Sequence, residues 1–350
     1  MSRLITVNAS KSYDIIIDRN IFSKIVPIIK SAGSAKAAII SDTNVWPLYG
    51  DNVSSYLINA GIHTVNYVFP AGEEQKNGGT YLEILNFLSC NKLDRLDILI
   101  ALGGGVVGDI TGFAAATYLR GIRYIQIPTT LLAMVDSSVG GKTAIDLPAG
   151  KNLAGAFHQP YAVLCDINTL DTLPEPIFRY GCAEVIKYGV LFDPTLFAHL
   201  QEHRLNFDRE YVISQCVTWK RDIVHTDEFD TGERQKLNLG HTVGHAIELF
   251  SNYRISHGSA VAIGMAVISR AASYSNFCSS SVAEEIQSVL SAFQLPISTD
   301  YNTSQIFTAT LSDKKCSGNS LSVIVPTQIG ACIIEKMSFQ IFKDFFEKGL

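Results

Sequence analysis

The sequence predicts a two-domain protein, in which an α/β domain with a parallel sheet is followed by a mainly α-helical domain. The chain has 350 residues, which is longer than the usual single-domain core. Short apolar runs alternate with helical stretches in the first half, as they do in parallel α/β sheets. From residue 178 to 293 the pattern is almost entirely helical. Two prolines, Pro174 and Pro176, precede this change, so the predicted domains are 1–175 and 176–350.

The composition describes a well-buried globular protein. Hydrophobic residues make up 47% of the chain and charged residues 17%, which excludes a disordered protein. The net charge of -5 and the absence of any Lys/Arg run argue against nucleic-acid binding. No apolar stretch is long enough to span a bilayer, and the N-terminus lacks a signal-peptide pattern. We therefore expect a soluble, cytoplasmic protein, whose seven scattered cysteines are reduced thiols.

Polar side chains follow several predicted strands of the first domain. An opening hairpin at 4–18 is followed by predicted strands at 37–41, 64–69 and 97–102. Ligands of parallel α/β sheets gather beyond the carboxyl ends of such strands. The segments found there are Asp42-Thr-Asn44, Gly72-Glu73-Glu74-Gln75-Lys76 and Gly103-Gly-Gly-Val-Val-Gly108-Asp109.

The third of these segments fits Gly-x-Gly-x-x-Gly between a strand and a predicted helix at 106–119. Glycines let the backbone approach a pyrophosphate, whose charge is favoured by the free N–H groups of a helix N-terminus. A merely tight turn is the alternative, but the strand before and the helix after favour a dinucleotide. The next strand, 124–127, ends in Pro128-Thr129-Thr130 without an acid for the ribose, so Asp42 or Glu73 is the candidate acid.

A second glycine-rich segment contains Gly140-Gly-Lys142-Thr143 and Gly150-Lys151-Asn152. Position 136 is Asp, so the first glycine of a P-loop is missing and a P-loop NTPase is excluded. Lysines beside glycines expose both charge and backbone donors, which favours a phosphate site. A hairpin with solvated lysines is the alternative interpretation.

Three of the eight histidines lie close together in the helical half. In a helix, His241 and His245 share one face, with Glu248 a further turn along. An open zinc site takes three protein ligands from His, Asp or Glu. Glu184 is a candidate carboxylate, although an intrahelical pair with Lys187 explains it as well. A polar helix face with ordinary hydrogen bonds is the alternative for the histidines.

Six blocks of the sequence, in register from about residue 40 to residue 330, resemble the 3-dehydroquinate synthase family. They are Gly103-Gly-Gly-Val-Val-Gly-Asp109, Val135-Asp-Ser-Ser-Val-Gly-Gly-Lys-Thr143, Gly150-Lys-Asn152, Ala183-Glu-Val-Ile-Lys-Tyr-Gly189, Leu239-Gly-His-Thr-Val-Gly-His-Ala-Ile-Glu248 and His257-Gly258. The resemblance implies a nucleotide-binding α/β domain, a helical domain and a site in the cleft between them. It also implies a homodimer.

The resemblance assigns roles to individual residues. It implies that a divalent ion, zinc or cobalt, is held by Glu184, His241 and His257, whereas His245 contacts substrate. The implied NAD contacts are Asp42, Asn44, Glu73, Lys76, Gly104, Gly105, Val106, Val107, Gly108, Asp109, Thr129, Thr130, Lys142, Lys151, Thr169, Leu170, Asp171 and Thr172. The implied substrate and catalytic contacts are Asp136, Lys142, Lys151, Asn152, Lys187, Lys220, Arg234, Asn238, His245, one of Lys314 and Lys315, and Arg120 of a neighbouring subunit.

The implied reaction converts 3-deoxy-D-arabino-heptulosonate 7-phosphate to 3-dehydroquinate and phosphate, a lyase step of the shikimate pathway to aromatic amino acids. NAD is recycled in each turnover. The resemblance assigns Lys220 and Arg234 to the substrate carboxylate. The alternative interpretation is that both are solvated charges on helices. The rival functions are a sugar phosphate cyclase acting on substrates without a carboxylate, a metal-dependent polyol dehydrogenase, and a regulatory nucleotide-binding module.

The chain departs from the family pattern at a few positions. The family usually has an acid two residues after the last histidine, where this chain has Ser259. This departure leads us to expect a change in metal affinity more than in ligand identity. Lesser departures are Met134, Ala144 and Asp146, where the family commonly has Gln, Gly and Asn.

Overall fold

The chain forms two compact units. The structure, a computed structural model, describes residues 2–311, 316–317 and 320–350. The first unit comprises Met1–Leu173 and Lys220–Phe229, and the second comprises Pro174–Trp219 and Asp230–Leu350. The predicted division has a single boundary after residue 175, whereas here the chain returns to the first unit for a short segment.

The first unit is built on a seven-stranded sheet with the order β1-β2-β9-β6-β5-β3-β4. Its opening pair is antiparallel, as the predicted hairpin requires, and the other neighbours are parallel, which confirms the predicted parallel sheet. Two further strands, β7 and β8, form a separate antiparallel hairpin. In chain order the strands are β1 (Arg3–Val7), β2 (Tyr13–Asp18), β3 (Lys36–Asp42), β4 (His63–Phe69), β5 (Ile98–Gly103), β6 (Arg123–Pro128), β7 (Lys142–Leu147), β8 (Gly150–Phe157) and β9 (Ala162–Asp166).

Helices cover both faces of this sheet, which explains why its central strands are continuous apolar runs. All residues of β5 are buried. Ile39 and Ile100 belong to the core on one face, together with apolar residues of α1 (Ile25–Ser31) and α2 (Asp51–Asn59). Ile40 and Leu99 belong to the core on the other face, together with residues of α3 (Gly78–Cys90) and α4 (Gly105–Thr117).

The strand order creates a switch point between β3 and β5. The chain leaves β3 towards β4 on one side and leaves β5 towards β6 on the other side. The carboxyl ends of two such neighbouring strands form the crevice in which open α/β sheets bind ligands. This crevice is where Asp42 ends β3 and where the glycine turn follows β5.

The returning segment is held to the start of the chain by Glu228. Its carboxylate accepts hydrogen bonds from Ser10 N at 2.7 Å and from Ser10 Oγ at 2.6 Å. It also accepts one from Gln159 Nε2 at 2.8 Å, so Glu228 joins the opening hairpin to the end of β8.

The second unit is mainly helical, as predicted, and ends in a small antiparallel sheet and a terminal helix. Its first helix begins at Glu175, so Pro176 lies in the first turn and not in a linker; proline fits there because that N–H has no partner within the helix. None of the helices in the described ranges is long and apolar enough to cross a membrane. The elements are α5 (Glu175–Leu191), α6 (Pro194–His203), α7 (Arg209–Thr226, whose last part belongs to the first unit), α8 (His241–Phe250), α9 (His257–Tyr274), α10 (Ser280–Ala292), α11 (Thr303–Leu311), β10 (Cys316–Ser317), β11 (Ser320–Gln328), β12 (Ala331–Ser338) and α12 (Phe339–Glu347).

Candidate active site

Side chains from three helices of the second unit meet around one carboxylate. Glu184 lies on α5, His241 is the first residue of α8, and His257 is the first residue of α9. The Nε2 atoms of His241 and His257 lie 3.4 Å and 3.3 Å from Glu184 Oε1. One ligand atom of each residue lies within 4.8 Å of the others. A Glu-His-His set of this kind, buried at Glu184 and His241 and partly exposed at His257, suits a divalent ion with an open coordination position.

Glycines allow the two histidine-bearing helices to approach each other. Gly240, which precedes α8, has a φ of 77°, a conformation that side chains disfavour. A Cβ on Gly264 of α9 would lie 1.9 Å from Gly240 O, so α9 touches this backbone directly. The close contact holds the start of α8, with His241, against α9, which begins with His257.

Each histidine is oriented by a hydrogen bond on the other side of its ring. His257 Nδ1 lies 3.0 Å from Glu248 Oε2, and His241 Nδ1 lies 3.1 Å from Leu239 O. If both Nδ1 atoms donate, both Nε2 atoms are left to face Glu184. The Glu248 side chain is buried, at 2% exposure.

Charge in this cluster is balanced internally. Burial would raise the pKa of Glu184, but Lys187 and His241 hold it well below the usual range, and Lys187 forms an ion pair with Glu184. Burial lowers the pKa of His241 to about 3. Burial acts in the same direction on His257, but hydrogen bonds to Glu184 and Glu248 outweigh it and raise its pKa to about 10. Two positive charges, on Lys187 and His257, therefore balance the two carboxylates.

His245 lies next to the cluster of Glu184, His241 and His257 but is not part of it. Its ring centroid lies 5.4 Å from that of His241 and 6.1 Å from that of His257. Among the described residues it belongs to a second group of possible metal ligands, with Glu248 and His257.

Asn238 ends the short helical turn before Leu239, and Arg234 in the same turn is buried, at 2% exposure.

Ser259, where the chain departs from the family pattern, lies in the N-terminal cap of α9. Ser259 is the third residue of α9, where its N donates to the Oγ of the capping residue Ser256 at 3.3 Å. The two hydroxyls are also hydrogen-bonded at 2.9 Å. This position therefore belongs to the helix cap, and the carboxylate beside His257 comes from Glu248.

In the first unit, Lys76 joins two predicted ligand segments. Its Nζ donates to Asp109 Oδ2 on α4 at 2.5 Å and to Asn152 Oδ1 on β8 at 2.6 Å. Asn152 N in turn donates to Asp146 Oδ1 at 2.8 Å. Burial would lower the pKa of Lys76, but the charges of Asp109 and Glu73 outweigh it and raise the pKa. The glycine-rich segment is thus a hairpin whose polar side chains meet the start of α4.

Other predicted NAD residues surround the glycine turn. Thr129 N donates to Gly103 O at 2.9 Å, which sets Thr129 and Thr130 beside the turn. Asp42 Oδ1 accepts hydrogen bonds from the backbone of Asn44 and Val45 at 2.8 and 2.9 Å.

The 169–172 segment lies farther along the same unit. Thr169 lines a cavity of about 220 Å³, which Tyr49 also lines. Tyr49 Oη contacts the hydroxyl of Thr172.

Three further predicted contacts differ in their surroundings. Lys220 lies in the first unit, and its Nζ is 2.5 Å from Asp136 Oδ1. Lys151 forms an ion pair with Glu73, with Nζ 3.2 Å from Oε1. Arg120 is exposed, in a turn where it has a φ of 68°. Lys314 and Lys315 lie outside the described residues, so the contact assigned to one of them stays a prediction.

Sequence reasoning missed two groups. The sequence predicts for Glu248 only a place on the histidine face, and its contact with His257 depends on a loop that brings α9 back to α8. From the sequence, Asp146 is only a departure from the family pattern. Its spacing from Asn152, across a two-residue turn between β7 and β8, was the signal that could have paired them.

The fold is similar to that of a class of proteins that includes the sugar phosphate cyclases. A 2-deoxy-scyllo-inosose synthase, solved with carbaglucose-6-phosphate, NAD+ and Co2+, superposes with a TM-score of 0.90 at 23% identity, covering 100% of both chains. The 2-epi-5-epi-valiolone synthase of Streptomyces hygroscopicus, solved with NAD+ and Zn2+, gives 0.88 at 25% identity, covering 97% of both chains. A glycerol dehydrogenase from Schizosaccharomyces pombe gives 0.68 at 15% identity, covering 99% of this chain and 90% of the other.

Within this class, the chain belongs to the 3-dehydroquinate synthase family. The 3-dehydroquinate synthase N-terminal model matches residues 66–180 and the C-terminal model matches residues 181–316. The 3-dehydroquinate synthase of Clostridium beijerinckii is 43% identical over 350 residues, covering 98% of this chain and 100% of the relative. That of Streptococcus thermophilus is 40% identical over 344 residues, covering 96% and 97%.

Proposed function

We propose that this chain is an active 3-dehydroquinate synthase, which converts 3-deoxy-D-arabino-heptulosonate 7-phosphate to 3-dehydroquinate and phosphate. It would use NAD, recycled within the turnover, and one divalent ion. The observation that carries this proposal beyond family membership is the intact cluster of Glu184, His241 and His257 with Lys187 beside it. A regulatory module without catalysis would not need such a set of metal ligands.

Glu184, His241 and His257 would hold the ion, and the donor set fits it because all three ligand atoms are close enough to share one cation. Such an ion polarises substrate hydroxyl groups and so makes them more acidic. The relatives solved with Co2+ and with Zn2+ support either metal. The raised pKa of His257 means that its proton must leave when an ion binds.

NAD would bind at the switch point between β3 and β5. Gly104 and Gly105 leave the start of α4 without side chains, so that a pyrophosphate can approach its N–H groups. When bound there, NAD would supply the hydride acceptor and donor for the reaction and would be recycled within the turnover. Lys76, already tied to Asp109 and Asn152, would hold the hairpin residues in place around the nucleotide.

The remaining side chains would bind substrate and move protons. His245 is outside the Glu184 cluster, and we assign to its imidazole the role of accepting a proton from a substrate hydroxyl. We assign the substrate phosphate to Lys142, Lys151 and Asn152, with Arg120 from a second copy of the chain in a homodimer. Lys220 and Arg234 would bind the substrate carboxylate, since a guanidinium fork and an ammonium both favour charge-assisted hydrogen bonds.

The test is to incubate the protein with the phosphorylated keto acid, NAD and zinc, and to follow phosphate and NADH together. Phosphate release without net NADH supports the proposal. Steady accumulation of NADH would favour a polyol dehydrogenase, and release of phosphate from sedoheptulose 7-phosphate as readily as from the keto acid would favour another cyclase. A protein that binds NAD but changes neither substrate would be a nucleotide-binding module.

A further inference from the structure

We propose that Glu248 is a positioning residue, which holds the His257 ring so that its Nε2 atom faces the ion. This inference rests on the proposed function, because it concerns the metal held by Glu184, His241 and His257. It assigns no metal contact to Glu248 itself. The expected role is to fix the tautomer and the direction of one ligand, and thereby to set metal affinity.

The contact distances support this role. Glu248 Oε2 lies 3.0 Å from His257 Nδ1, a normal length for a hydrogen bond from an imidazole to a carboxylate. The opposite ring atom, Nε2, lies 3.3 Å from Glu184 Oε1. An imidazole that donates from Nδ1 to Glu248 presents the lone pair of Nε2 to the other two ligands, which is the tautomer that a cation needs there.

The local structure keeps Glu248 in this position. Glu248 lies two turns after His241 on α8 and is therefore on the same helix face. Its carbonyl accepts hydrogen bonds from Tyr253 N at 2.8 Å and from Ser251 Oγ at 2.9 Å, which close the end of the helix. One helix thus carries a ligand at its start and the orienting carboxylate of the next ligand near its end.

A competing arrangement uses the same residues. His245, Glu248 and His257 form a second group of possible metal ligands. If that group held an ion, Glu248 would be a ligand and His257 would bind through Nδ1. The 3.0 Å contact favours the hydrogen bond, because it already occupies Nδ1 with the carboxylate of Glu248. The number of ions bound per chain distinguishes the two arrangements.

The experiment measures Co2+ and Zn2+ affinity by chelator competition in the full chain and in Glu248→Met, which keeps the volume but removes the acceptor. We expect binding about 10–100-fold weaker, with one ion per chain and an unchanged Co2+ absorption shape. Glu248→Gln should restore much of the affinity, because its amide oxygen can accept the same hydrogen bond. Ser251→Ala is the matched control: Ser251 is buried at the end of the same helix, and its hydroxyl contacts backbone atoms of Glu248 and Ile255, so the metal affinity of this variant should equal that of the unmodified chain.

Unchanged metal affinity in Glu248→Met would overturn the inference, and so would two ions in the unmodified chain with one lost in this variant. If Glu184→Gln also kept full affinity, the proposed metal site itself would be wrong. Nitrogen NMR of the metal-loaded, unmodified protein decides the matter if Glu248→Met does not fold. A proton on Nδ1 of His257 supports the inference, and a proton on Nε2 contradicts it.

Discussion

Lys220 and Asp136, which are 84 residues apart in the sequence, form an ion pair within the first unit, with Nζ 2.5 Å from Oδ1. Both residues are assigned to substrate by the family resemblance. The pair shows that the charge of Lys220 is partly compensated, so a substrate carboxylate would add to an existing contact. The position of the Lys220 side chain therefore depends on this tertiary contact as well as on its helix.

Breaking this pair should destabilise the protein. Lys220→Met removes this ion-pair partner of the Asp136 carboxylate, whose side chain is 24% exposed. We expect a loss of about 2–3 kcal/mol, somewhat below the cost of breaking a fully buried pair. Urea unfolding of Lys220→Met, Asp136→Asn and the double variant measures it. If the two single effects simply add in the double variant, the two side chains are not coupled.

Arg234 should control the choice of substrate. Arg234→Ala should lower kcat/KM for the keto acid by about two to three decades, because a charge-assisted contact to the carboxylate is lost. Arg234→Lys keeps the positive charge but removes the planar guanidinium group, so it measures the contribution of the charge alone. Activity on sedoheptulose 7-phosphate, which has no carboxylate, is the control. Unchanged turnover of the keto acid in Arg234→Ala would disprove the assignment.

Removing a metal ligand should have a different effect from removing His245. We expect Glu184→Gln, His241→Ala and His257→Ala to lose both bound metal and activity, because an open zinc site needs all three ligands. His245→Ala should keep its metal and lose turnover. Metal content after dialysis and phosphate release are the two measurements. Metal retained in His257→Ala and lost in His245→Ala would reverse the two roles.

A side chain at Gly105 should weaken NAD binding without harming the fold. A Cβ there would lie 3.4 Å from Ser137 Oγ, which is an ordinary contact, so the protein itself can accept alanine. We expect NAD to bind at least about tenfold more weakly in Gly105→Ala, a loss of about 1.4 kcal/mol. Gly78→Ala is the matched control, because Gly78 also begins a helix and its Cβ would meet nothing within 4 Å. Normal NAD affinity in Gly105→Val would place the nucleotide elsewhere.

Stability should fall at high pH because of Lys76. Its pKa is raised in the folded state, so its contribution to stability is fully present below 10.5 and is lost as the pH rises through the higher folded value. In Asp109→Asn the largest attraction is absent and burial opposes the charge, so the loss of stability with rising pH should be smaller. Urea unfolding between pH 8 and 11 compares the two proteins. Identical pH profiles would mean that Asp109 does not set the pKa of Lys76.

The sheet and the glycine turn could be predicted because their signals are local. The apolar run that became β5 and the glycines after it are adjacent in the sequence, and the predicted helix at 106–119 is close to the observed α4. The contacts of Glu248 with His257 and of Lys220 with Asp136 were not predicted. Both contacts depend on the three-dimensional path of the loops and helices. The periodicity of the sequence does not predict that path. The metal ligand set came from resemblance, since His241 and His245 have equivalent places on a helix face.

The return of Lys220–Phe229 to the first unit has a consequence for synthesis on the ribosome. The carboxylate that joins Ser10 to Gln159 belongs to Glu228, so it is made long after both of its partners. The sheet can begin to form as its strands emerge, but these contacts must wait for the whole of α7. A nascent chain released at residue 175 would lack its own closing segment, and we expect it to be a substrate for chaperones and proteases.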